Sequence, residues 1–84
     1  ITLGNIPNPV IDQTLIEVSS EINGAFQFHV LDVAGKLLHS EKIQLTTGYN
    51  SFNYDGSELE AGMYIYSISN ELGAIAEKMV VGRR

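Results

Sequence analysis

The residues with the most chemistry to offer are His29 and His39, the only histidines in the chain. If their segments pair across the Asp32-Val33-Ala34-Gly35-Lys36 stretch, the two imidazoles stand opposite each other on one face. Cross-strand imidazoles can share a zinc or copper ion, with Glu41 or Gln27 as a third ligand. Such ions take roughly three or four protein ligands, and histidines on an exposed hairpin are commonly just solvated, so no metal site and no cofactor are expected. A serine nucleophile needs a base, an orienting acid and an oxyanion hole, and no serine here sits in a Gly-x-Ser-x-Gly elbow. Asp55, Glu58 and Glu60 could pair as glycosidase carboxylates, yet they crowd one polar loop, where solubility explains them better. Tyr49, Tyr54, Tyr64 and Tyr66 could stack on a pyranose, but Tyr64 and Tyr66 lie in one strand whose burial explains their size better. No residue is assigned a catalytic role, and the chain is read as a non-enzyme.

The elements that must position these residues belong to one small domain. Eighty-four residues hold a single core. Hydrophobic content of 44% against 18% charged residues is far from the composition of disordered chains. Ten acidic and five basic residues give a net charge of -5 at pH 7, which repels phosphate backbones and anionic lipid, so nucleic acid is not an expected partner. Without cysteine there is neither a disulfide framework nor a thiolate site. No apolar run approaches the roughly 20 residues of a membrane-spanning helix. The start Gly4-Asn5-Ile6-Pro7-Asn8-Pro9 reads as the end of a linker, residues 1–9, leading into a domain over 10–84.

Thr14, Ile16 and Val18 alternate with Leu15 and Glu17, and Phe26, Phe28 and Val30 with Gln27 and His29, the period of two of half-buried strands. Asp32 to Lys36 has the composition of a three-residue hairpin loop closed by Gly35 in the left-handed region. That turn places Asp32 opposite Lys36, Leu31 opposite Leu37, Val30 opposite Leu38 and His29 opposite His39. Ile43 and Leu45 then fall on the polar face, which predicts a bulge or bend ahead of them. Met63 to Ser69 carries large residues on both faces, the pattern of a central strand covered on both sides. Six to seven short strands with no helix give an all-β, small antiparallel sandwich, immunoglobulin-like in class, with meander and Greek key both open.

Read together, Pro7-Asn8-Pro9, Val30-Leu31-Asp32 with Gly35-Lys36, Asp55 with Leu59, Gly62-x-Tyr64 and Lys78-x-Val80-Val81 resemble the type A C-terminal sorting domain of the type IX (Por) secretion system of Bacteroidetes. The resemblance runs from about Ile6 to Arg84. Two positions depart from the pattern: Ile6 stands where an aromatic residue often precedes Pro-Asn-Pro, and the chain ends Gly82-Arg83-Arg84. The resemblance implies a seven-stranded sandwich at the C-terminus of a larger cargo protein. It further implies transit through the periplasm, recognition by an outer-membrane translocon, removal by a sortase-like protease, and delivery to the cell surface or medium. On it, Gly62, Tyr64, Lys78, Val80 and Val81 belong to the recognised segment, while Pro7, Asn8, Pro9, Asp32, Gly35 and Lys36 shape the fold.

Chemistry adds two expectations. Gly62 would allow a positive φ or a close backbone approach where loop becomes strand. A last strand ending Met79-Val80-Val81 would leave a free edge for a partner or for a second copy in an edge-strand dimer. The alternative function for such a sandwich is an extracellular adhesive or carbohydrate-binding module.

Overall fold

The computed structural model describes residues 1–82, so Arg83 and Arg84, where the ending departs from the family pattern, lie outside the described residues. Seven strands run along it: β1 (Thr2–Ile6), β2 (Gln13–Ser20), β3 (Gly24–Asp32), β4 (Leu37–Leu45), β5 (Gly48–Asp55), β6 (Gly62–Asn70) and β7 (Gly73–Val81). One sheet has the order β1-β2-β5 and the other β4-β3-β6-β7. All ladders between these strands are antiparallel. The chain changes sheet between β2 and β3, between β4 and β5, and between β5 and β6. Those crossings rule out a simple meander and give an immunoglobulin-like sandwich.

Alternation produces the core. Ile16 and Val18 of β2, Phe26, Phe28 and Val30 of β3, Tyr66 and Ile68 of β6, and Met79 and Val81 of β7 are buried between the sheets. Phe28 sits at the centre, with the rings of Phe52 and Tyr54 edge-on at 5.0 and 5.6 Å. A buried aromatic of this size contributes on the order of 2–3 kcal/mol through the apolar area it removes from water.

Three expectations change. Thr2–Ile6, read above as linker, pairs along its whole length with Leu15–Ser19 of β2. Its Leu3 packs against the core, which the proline-rich surroundings concealed. The β3–β4 register slips between Val30 and Leu31: Leu31 faces Leu37, but Val30 faces His39 and His29 faces Ser40. Leu38 is the extra residue of this bulge and is exposed, not an inward partner of Val30. The bulge turns Ile43 and Leu45 toward the core, since they now face Phe26 and Gly24, and it separates the histidines. His29 points out from the sheet while His39 packs on Phe28 and Tyr54, with centroids at 5.8 and 5.3 Å. Finally, β6 is central in its sheet but covered on one side only: Met63 on its outer face is 47% exposed.

Candidate functional site

The sequence elements singled out above are scattered over the chain, and the fold gathers them at one end of the sandwich. The end of β3, the start of β6 and the end of β7 lie side by side, with Asp32 opposite Tyr64, Tyr64 opposite Met79, Ile65 opposite Lys78, Met63 opposite Val80 and Gly62 opposite Val81. The Asp32–Lys36 turn closes the same end. The Asp32 N–H donates to the Lys36 carbonyl at 3.0 Å, and its Oδ1 accepts from the Ala34 and Lys36 N–H groups at 2.9 Å. Gly35 takes a φ of +87° there, a left-handed conformation that costs glycine least.

Pro7-Asn8-Pro9 reaches the same end and fastens the last strand. Both peptide bonds before these prolines are cis. The Val80 N–H donates to Asn8 Oδ1 at 2.9 Å, the Val10 N–H to the Val80 carbonyl at 2.7 Å, and the Gly82 N–H to the Val10 carbonyl at 2.7 Å. A short parallel bridge, Val10 to Val81, results. The edge of β7 at Val80 is therefore occupied by the chain's own residues, which corrects the expectation of a free edge at Met79-Val80-Val81. Among the described residues the outer edge has no backbone partner farther back, over residues 74–78.

Behind this clasp lies a polar network that the sequence did not announce. The buried Tyr66 hydroxyl donates to Asn5 Oδ1 at 2.9 Å, while Asn5 Nδ2 donates to Thr14 Oγ1 at 3.1 Å and to the Pro7 carbonyl at 3.3 Å. Thr14 Oγ1 also donates to the Pro7 carbonyl at 3.1 Å. Burial, with the charge of Glu77 adding to it, pushes the Tyr66 phenol up to about 12. Asn5, Val10 and Thr14 are thus structural residues of this end that motif reading passed over. The available signal was a short apolar pair, Val10-Ile11, directly after a proline turn.

The five residues of the expected recognition segment are brought together but divide by face. Val81 is buried at 3% exposure, and Tyr64 is half-buried with its hydroxyl donating to the Glu60 carbonyl at 2.7 Å. Lys78 and Val80 are exposed. Gly62 has a φ of +156°, and a Cβ there would meet nothing within 4 Å. Backbone conformation, not lack of space, is what calls for glycine at this position.

The two histidines stay apart. His39 Nε2 donates to Glu41 Oε1 at 3.0 Å, and His29 is on the other side of the sheet, so the shared-ion arrangement does not form. Among the described residues no group of three or more histidines and carboxylates could hold a metal ion, and no helix is long and apolar enough to cross a membrane. Tyr54 and Tyr66 are buried and Tyr49 is on the opposite sheet's outer face, so the tyrosines do not share a sugar-stacking platform.

The family model for the secretion system C-terminal sorting domain matches residues 6–82. No curated protein matches the chain. The matched span begins at the last residue of β1 and contains β2 to β7, along with the turn, clasp and hairpin that meet at this end. The chain belongs to the family of type IX secretion system C-terminal sorting domains.

Proposed function

We propose that this domain is a non-catalytic address label, carrying an attached N-terminal cargo from the periplasm to an outer-membrane translocon and so to the cell surface or medium. The translocon reads the end of the sandwich where Gly62, Tyr64, Lys78, Val80 and Val81 meet, and a sortase-like protease then separates label from cargo. The observation that supports this reading most is the convergence of those residues with Pro7-Asn8-Pro9 and Asp32-Gly35-Lys36 on one end. Local packing explains Val81 and Tyr64 but gives no reason for Lys78 and Val80, which are exposed. The roles divide accordingly. Gly62, Tyr64 and Val81 hold the shape of the segment, and Lys78 and Val80 present it.

The test is a fusion of the 84 residues to a fluorescent reporter behind a periplasmic export signal. It is expressed in a bacterium with a working type IX system and in a strain lacking the translocon. Reporter at the surface or in the medium of the first strain alone is the expected result. Equal retention in both, with the domain folded, would sink the proposal.

A further inference from the structure

The outward face of β4-β3-β6-β7 has a composition unlike the rest of the molecule. Its residues form rows across the four strands: Leu37, Leu31, Ile65, Lys78; then Ser40, His29, Ser67, Ala76; then Lys42, Gln27, Ser69, Ala74. Met63 and Val80 extend the apolar row on the side of the clasp. Leu37 is 50% exposed, Met63 47% and Val80 38%, so this is apolar surface in water and not the rim of a core. The middle of the face carries only small side chains and His29, a flat surface with few rotamers to order on contact.

Charge is segregated as well. Of the ten side-chain carboxylates, none borne by a strand is on this face, and Glu71 of the β6–β7 turn borders it in a hollow shared with Gln27, Lys42 and Ser69. The three within these strands, Asp32, Glu41 and Glu77, stand opposite Tyr64, Phe28 and Tyr66, and so belong to the inward side. The other sheet carries Glu17 and Asp55 on its outer face. Both strand lysines, Lys42 and Lys78, are on this face, which no strand carboxylate shares. A protein with a net charge of -5 thus keeps one flat side apolar and weakly cationic.

We propose that this face is a docking surface for a partner protein that presents apolar side chains beside carboxylates. The inference rests on the sorting function and names the surface through which it works. Complementarity of charge selects the partner: Lys42 and Lys78 favour carboxylates, while the row from Leu37 to Ile65 needs apolar contact that a polyanion cannot give. A second copy of the same face is disfavoured, because it offers no strand carboxylate to meet Lys42 and Lys78.

Export of the reporter fusion tests this with two independent variants. Lys42→Glu with Lys78→Glu reverses the charge, and Ser67→Arg places bulk in the flat middle; Ser51→Arg on the opposite sheet is the control. Each is first checked for the parent's circular dichroism spectrum and melting temperature. The expected result is a fall in exported reporter of about tenfold or more for both face variants, the loss of at least one strong interface contact, and no fall for the control. Parental export from a folded face variant would overturn the proposal. Parental fusion that is itself retained would overturn the sorting reading, and this proposal with it. Sedimentation velocity of the isolated domain is expected to give a monomer. Concentration-dependent association abolished by the double lysine variant would assign the face to a second copy instead.

Discussion

At the scale of single residues, Tyr66 has the clearest measurable consequence. Its hydroxyl is buried and donates to Asn5, and its folded pKa is raised to about 12 against roughly 10 in an unfolded chain. The fold favours the neutral phenol. Its contribution is therefore complete below about pH 10 and is lost as pH rises toward about 12. Burial raises Tyr54 in the same direction. Thermal unfolding midpoints should fall through this alkaline window. Tyr66→Phe should flatten the fall while costing about 1 kcal/mol at neutral pH, because Asn5 Oδ1 is left without its donor. An identical alkaline decline in the variant would show that Tyr66 is not the titrating group.

At the scale of elements, one residue decides how β4 is used. Leu38 is the extra residue between the pairs Leu31–Leu37 and Val30–His39, and with a period of two a single insertion exchanges the faces of everything beyond it. Here the exchange puts half-buried Ile43 and buried Leu45 inside. Deleting Leu38 should either turn those residues outward or drag the Asp32–Lys36 turn out of shape. The expected loss is about 3 kcal/mol or more in urea unfolding, comparable with removing a large core side chain. Unchanged stability would mean that the turn absorbs the missing residue. The sequence predicted a bulge from the parity of Ile43 and Leu45. It could not place the bulge, since Leu37 and Leu38 are equally apolar and only contact with the other sheet distinguishes them.

At the scale of the whole molecule, the first ten residues complete the sandwich. β1 supplies Leu3 to the core and Asn5 to Tyr66, and Asn8 and Val10 hold the end of β7. A chain cut to residues 10–84 should therefore be destabilised strongly. The buried Tyr66 hydroxyl alone would lose its acceptor at a cost of about 1–3 kcal/mol, before the loss of Leu3 packing is counted. Urea unfolding of the full and shortened chains measures this, and equal midpoints would return residues 1–9 to the role of a linker. The same clasp ties the beginning of the domain to its C-terminal strand beside the exposed Lys78 and Val80.

Sequence alone was enough for the all-β class, most strand positions and the family, because alternation and turn chemistry are local properties and the motif spacings survive as a linear pattern. It also singled out Gly62, Tyr64, Lys78, Val80 and Val81 through the family resemblance, but not Asn5, Val10 and Thr14, which hold the same end together. Their convergence was not legible, since Asn8 and Val80 are joined by a hydrogen bond across nearly the whole chain that leaves no periodic trace. Large residues on both faces of β6 read as a strand buried twice, and only the tertiary arrangement showed that one of those faces has no layer over it. Alternation states that a side chain is apolar; which side receives a second sheet depends on where the chain crosses over, and that is settled by packing of the whole core.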